Sequence, residues 1–388
     1  MNIKYPLAKE TINDEDVNAL CDWLKSYPRL TKGELTLQVE ADWANYIGTK
    51  YAVFNNSGSS ANLLMIATAI ECGLIPNKKI VVPSVGWVTT ISPAMQIGLE
   101  PIMCGADPKT FGIDLDQLEQ ICETDRPDAV IFVQVLGVPH HKERLLALKQ
   151  KYGFVLLEDA CAALGARYSD GTMVGTIGDM ASFSFYFGHQ LSTIEGGMVN
   201  VNDKKLYDML LMLRSHGWAK DLDKETYDSM MAERGIDDFH SPFTFFVPGF
   251  NLRSTDLQAF LGIRQVKKAE WASNSRNKNH LLYAEKLKGY VEFQDWGEEY
   301  PVSISFGALA NSTEHRKEIV SRLVQHGIET RIFSAGNLGR HPFWTDQYEE
   351  FVDTQSDAIH SRGFFVPNYP ELTEDEIDFI CKVIKDQV

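Results

Sequence analysis

The chain predicts an α/β protein: a large domain built on a mostly parallel, mixed sheet, then a smaller C-terminal α/β domain. Three observations lead there. Short apolar runs at 51–54, 80–83, 100–103, 129–136 and 154–157 read as buried strands, with helical stretches such as 115–122 and 142–151 between them. That alternation puts helices on both faces of the sheet and ligands at the carboxyl ends of its strands. The 388 residues are 44% hydrophobic, ample for a sizeable core in one or two domains. After residue 265 the composition turns more charged through a long helix at 266–287. Strands near 302–309 and 364–366 and helices near 314–326 and 374–385 follow, so the domains are set at 1–265 and 266–388.

Composition removes several function classes. The formal net charge of -16 argues against a nucleic-acid backbone or an anionic membrane surface as main partner. It leaves room for a local basic pocket that holds a diphosphate. The six cysteines (Cys21, Cys72, Cys104, Cys122, Cys161, Cys381) are scattered, with no CxxC pair to suggest zinc or an iron–sulfur cluster. A reducing cytoplasm fits that usage. The first residues, MNIKYPLAKETINDED, hold no apolar run, so neither a signal peptide nor a membrane span is expected there.

In order, 10–26 predicts a helix with acids in its first turn and Val17, Leu20 and Leu24 on one face. A turn at 30–33 and an amphipathic helix at 37–47 follow. After the strand at 51–54, the small polar run Asn56-Ser57-Gly58-Ser59-Ser60-Ala61-Asn62 opens into an apolar helix. A strand, a small-residue loop and a helix leave backbone N–H groups free for a phosphate. On chemistry alone an ordinary serine-capped helix is the simpler reading. Trp87 follows the strand at 80–83 and reads first as a core aromatic. The strand at 154–157 ends in Glu158 and Asp159, where a structural cap or ion pair would serve equally. His216 closes a helix at 206–213 and fits a surface or interface histidine. The polar, acidic run 219–245 reads as an excursion, mobile or at a subunit interface. Asn251 then precedes a helix at 255–265, as a helix-entry turn residue would. Arg331, Asn337 and Arg340 occupy a Gly- and Asn-marked loop. The two arginines suit a diphosphate in fork geometry or plain solvation.

The most informative stretch is SFSFYFGHQLSTIEGGMVN, Ser182 to Asn200. Aromatic and small residues alternate at 183–187, as on a strand with two differing faces, and a polar pair, His189 and Gln190, comes next. Two glycines after Glu195 permit a tight turn, and an apolar strand resumes at 198–201. This stretch resembles the active-site segment of the DegT/DnrJ/EryC1/StrS sugar aminotransferases, fold type I enzymes that use pyridoxal 5′-phosphate (PLP). In that family a lysine six residues before the Glu-Gly-Gly links covalently to PLP. Here that position is His189, which forms no such bond but can move protons near neutral pH. A small branch of the family, the 3-dehydratases of nucleotide-linked 4-keto-6-deoxy sugars, carries this substitution.

The resemblance covers nearly the whole chain and implies a set of roles. Gly58, Ser59 and Ser184 would hold the phosphate of PLP, Trp87 would stack on its ring, and Asp159 would bind its pyridine nitrogen. Asn251 would reach the phosphate, and His216 the active site, across the interface of a homodimer. Arg331, Asn337 and Arg340 would bind the nucleotide sugar. Glutamate would convert PLP to pyridoxamine 5′-phosphate, held without a covalent bond. His189 would then act as acid and base while the C3 hydroxyl leaves, giving a 3,6-dideoxy-4-keto sugar and ammonia for surface-polysaccharide synthesis. One departure stands out: where the family has Gln or Glu near the phenolic oxygen of PLP, this chain has Ala162. The alternatives are a sugar aminotransferase with its lysine elsewhere, an iron–sulfur dehydratase of CDP-sugars, and a non-catalytic PLP-fold protein.

Overall fold

Two helices lead into the sheet in the computed structural model, which describes residues 3–388. α1 (Asp14–Leu24) starts on a reciprocal cap: Asn13 accepts from the Asp16 N–H, and Asp16 accepts from the Asn13 N–H. α2 (Glu34–Ile47) stops at Gly48, which is left-handed. Strands and helices then alternate: β1 (Tyr51–Asn55), α3 (Gly58–Glu71), β2 (Lys79–Pro83), α4 (Val88–Gln96), β3 (Glu100–Cys104), α5 (Leu115–Asp125), β4 (Ala129–Val133), α6 (Lys142–Tyr152) and β5 (Val155–Asp159). β6 (Met180–Ser184), β7 (Gly197–Val201) and α7 (Lys204–Arg214) follow.

The sheet order is β1-β7-β6-β5-β4-β2-β3. β3, β2, β4, β5 and β6 run parallel, while β7 runs antiparallel to both its neighbours. β1 therefore points the same way as β6, and six carboxyl ends share one edge. Successive residues serve opposite faces. Val82, Ile131 and Leu157 join the core under α3 and α7, whereas Val81, Val130 and Leu156 join the core under α5 and α6. Burial of each such side chain contributes about 1.5–3 kcal/mol, which is why these strands read as continuous apolar runs.

The chain continues through α8 (Lys224–Glu233), α9 (Asp256–Val266), α10 (Ala269–Leu287), β8 (Ser305–Leu309), α11 (Thr313–Gln325), α12 (Pro342–Thr345), α13 (Thr354–Arg362), β9 (Gly363–Pro367) and α14 (Glu374–Ile384). β8 and β9 pair antiparallel. Tyr283, Phe306, Ile319, Phe364, Ile377 and Ile380 form a separate core between this pair and α10, α11 and α14. Tyr5 returns to it, bridging to Ile328 and packing 5.9 Å from the Phe379 ring.

Three elements differ from the sequence expectation. The strand expected at 183–187 begins earlier and ends at Ser184, because the His189 N–H donates to the Tyr186 carbonyl (2.9 Å) and closes a turn. The excursion at 219–245 contains α8, capped by Asp223. It buries only Met231, so its apolar pattern is faint. The long helix at 266–287 starts later, at Ala269, because α9 ends at Val266 and its cap, Lys267, bonds back to Gln265.

Candidate active site

Four strand ends meet around one hollow. After β1, the Ser57 hydroxyl accepts from the Ser60 N–H (3.1 Å) and starts α3. Gly58 follows, packed so closely that a Cβ there would lie 2.6 Å from the Ser184 Cβ and 3.0 Å from the Cys161 thiol. Only glycine leaves the N-terminus of α3 open beside Ser184. The Ser59 hydroxyl reaches Thr89 Oγ1 (3.0 Å) across the turn after β2. Trp87 caps α4 and is 60% exposed. An exposed indole at a strand end is a free stacking surface rather than core.

β5 delivers its two acids to opposite faces. Glu158 turns away, accepting from Gln134 Nε2 (2.8 Å) and the Gly175 N–H (2.8 Å), and burial raises its pKa. Asp159 turns into the hollow. Its Oδ2 accepts from Asn62 Nδ2 (2.8 Å) and Thr90 Oγ1 (2.6 Å), and its Oδ1 from the Cys161 N–H (3.1 Å). Asn62 is itself oriented by the Ser182 hydroxyl, which donates to Asn Oδ1 (2.6 Å). Such a carboxylate is fixed in place before any ligand arrives. On β6 the alternation holds: Phe183 and Phe185 pack edge-on against Trp43, while Ser182 and Ser184 face the hollow.

His189 follows on the turn after β6, with its ring 6.4 Å from that of Tyr186. Its Nδ1 is enclosed and has no hydrogen-bond partner, although the residue keeps partial access to solvent. Burial pushes its pKa down to about 4. Asp159 opposes that shift, the Arg276 guanidinium adds to it, and the Cys161 backbone opposes it. The sequence suggested an imidazole poised near 6.5; the structure holds it neutral at pH 7, ready to accept a proton first. Gln190 is fully buried, its Nε2 donating to the Ala162 carbonyl (2.6 Å) and the Val302 carbonyl (3.1 Å).

A family model described as the DegT/DnrJ/EryC1/StrS aminotransferase family matches residues 10–385. The chain belongs to this family. GDP-4-keto-6-deoxy-D-mannose 3-dehydratase of Yersinia pseudotuberculosis is 32% identical over 392 residues, covering 99% of this chain and 98% of that protein. A solved structure of the Escherichia coli GDP-4-keto-6-deoxy-D-mannose-3-dehydratase with bound hydrated PLP superposes with a TM-score of 0.90 at 31% identity, covering 99% of this chain and all of the other. A second structure of such a dehydratase, with a trapped PLP-glutamate geminal diamine, gives 0.88 at 31% identity over 98% of this chain and 100% of that one. The α/β aminotransferase fold expected from the sequence is the one found.

Of the family positions singled out in the sequence, Gly58, Ser59, Asp159, Ser184 and His189 are brought together by the contacts above, and Trp87 stands exposed two residues before Thr89. His216 and Asn251 form a neighbouring group. Asn251 pairs with Ser215, and the following residues bond along the end of β1, Asn56 N–H to Leu252 carbonyl (3.0 Å). His216 sits at a positive φ of 63°, edge-on to Trp218 at 5.1 Å. The three substrate candidates stand differently. Asn337 is fully buried, its amide donating to Asp357 (2.7 Å) and the Phe351 carbonyl (3.1 Å) while its oxygen accepts from Gly339. Arg340 is forked onto Asp357 and also pairs with Glu350. Both spend their polar groups on partners within the protein and so fasten the loop that carries them. Arg331 keeps 66% of its side chain exposed, with one bond to Glu329 (3.0 Å). Asn62, Thr90 and Cys161 were not among the candidate site residues, and Gln190 was noted only as the polar neighbour of His189. A signal for Asn62 existed: it stands one helical turn after Gly58, on the same face of α3.

Proposed function

We propose that the chain is a PLP-dependent 3-dehydratase of GDP-4-keto-6-deoxy-D-mannose that takes its amino group from glutamate. One observation carries the reading. In a hollow built like a PLP site, the residue six before Glu195 is an imidazole beside Asp159, not an amine. The residues fit the cofactor: Gly58 and Ser184 leave a cradle that a Cβ would fill, Asp159 is pre-oriented, and Trp87 offers a free face. Among the described residues no helix is long and apolar enough to cross a membrane. We read the chain as a cytoplasmic homodimer with shared sites, serving surface-polysaccharide synthesis.

When bound, PLP in its amine form supplies an electron sink next to the sugar. The N-terminus of α3, with Ser59 and Ser184, holds its phosphate. Asp159, already oriented by Asn62 and Thr90, would keep the proton on the pyridine nitrogen, the main lever the protein has on this ring. Neutral His189 would accept the proton lost from the carbon next to the ring and return it to the hydroxyl oxygen leaving from C3 of the sugar, which departs as water. Because His189 cannot bond covalently to the cofactor, nothing tethers it, and non-covalent contacts hold it alone. Incubation with glutamate, PLP and GDP-4-keto-6-deoxy-D-mannose tests the reading. Ammonia and a 3,6-dideoxy-4-keto sugar should appear in equal amounts. An amino sugar recovered with stoichiometric 2-oxoglutarate would defeat it.

A further inference from the structure

We propose that Gln190 is a positioning residue for His189: a clamp that holds the loop of the imidazole shut against water. The inference rests on reading His189 as the proton carrier. Gln190 joins three separate segments. Its amide nitrogen donates to the carbonyl of Ala162, after β5, and to that of Val302, ahead of β8 (2.6 and 3.1 Å). Both partners are acceptors, so the nitrogen must face them and the orientation of the amide is fixed. Gly137 makes the junction possible. At its φ of 92° a Cβ would lie 2.1 Å from the Val302 oxygen and 2.8 Å from the Ala162 oxygen. Its own carbonyl accepts from the Val302 N–H (2.9 Å).

The other face of the amide argues that these donors matter. Gln190 Oε1 is buried without a partner. An unpaired buried oxygen is unfavourable, and an apolar side chain of equal length would avoid it. What the amide contributes here is its two N–H groups. His189 immediately precedes the clamp. Its loop is otherwise fastened at the backbone, by the bond from the His189 N–H to Tyr186 and by the Ser192 N–H on Thr11 Oγ1 (3.2 Å). The groups around the imidazole are the Asp159 carboxylate, the Arg276 guanidinium, the Tyr186 phenol and the Cys161 backbone. Asp159, on β5, and Arg276, on α10, are held by elements outside the clamp. What changes is hydration: with Gln190 truncated, water reaches the enclosed Nδ1, and the burial that holds the group at about 4 relaxes toward its ordinary value.

The test is a titration of the coenzyme-free protein labelled with ¹⁵N-histidine. The His189 signal is identified by its loss in His189→Asn. In Gln190→Met, which keeps length and loses both donors, the His189 midpoint should rise by about one pH unit or more. Loaded with coenzyme, the same variant should lose about tenfold in kcat, with KM for the nucleotide sugar within about twofold and the acid limb moved up alike. If Gln190→Met does not fold, Gln190→Asn, too short to reach both carbonyls, should show the same rise. A folded variant whose His189 midpoint stays in place overturns the proposal. The titration needs no turnover, so its outcome stands apart from that of the nucleotide-sugar assay.

Discussion

An imidazole at position 189 decides what the site can do, and its surroundings decide how. Burial keeps it neutral at working pH, so its first act is to take a proton. His189→Asn removes that step and leaves the cradle intact. Dehydration should fall about 10²–10⁴-fold, the usual worth of a general base, while PLP absorbance on the protein is retained. Loss of PLP binding in the variant would mean that His189 holds the cofactor rather than serving the chemistry. The residue type at 189 was legible in the sequence because its spacing to Glu195 is fixed. Its pKa was not, because burial sets it, with Asp159 opposing and Arg276 adding to the shift, and none of these is visible from the neighbouring residues in sequence. Asp159 was equally legible at its strand end. Asn62, in the small polar run after β1, and Thr90, in a stretch given no element, carried nothing in sequence that tied them to Asp159.

At the scale of elements, the site depends on α3 starting beside the end of β6. Gly58→Ala puts a methyl 2.6 Å from Ser184 and forces one of the two elements to shift. The variant should bind PLP at least about tenfold more weakly, since the helix N-terminus no longer presents its N–H groups to a phosphate, and should lose about 1–3 kcal/mol of stability to the overpacking. Equilibrium titration of PLP checks it, and an unchanged affinity would remove the N-terminus of α3 from the phosphate site. The strand–loop–helix pattern at 51–69 showed this element from sequence alone, because both faces of the strand are buried and the loop is small. α8 was missed for the opposite reason: with only Met231 buried, it carries almost no apolar period. The break between α9 and α10 was missed because neither Lys267 nor Lys268 resembles a stop signal.

For the whole molecule, two consequences follow from what is buried and what is not. His140 and His280 are enclosed, and burial lowers them to about 4 and about 3. A folded pKa below the unfolded 6.5 means that the unfolded chain binds more protons in between. Stability from these groups is full above about 6.5 and is lost as pH falls toward 4, on the order of 3 kcal/mol for His140. His140→Gln should therefore lose less Tm between pH 7.5 and 5 than the wild type, and equal losses would contradict the assignment. The second consequence concerns surface. Phe243 and Phe245 are 70% and 55% exposed beside Trp218, Phe239 is 86% exposed next to His240, and Ile194 is 50% exposed. A monomer leaving that much aromatic surface in water is disfavoured, and a second copy would cover it. In that dimer Asn251 would act in the partner's site. His189→Asn and Asn251→Ala homodimers should each be nearly inactive. When they are unfolded together and refolded, half of the dimers are mixed, and each mixed dimer holds one site with both native residues. Activity should return to about a quarter of the wild-type value. If Asn251 instead serves the site of its own chain, both sites in the mixed dimer carry one lesion each, and the mixture stays as inactive as its parents.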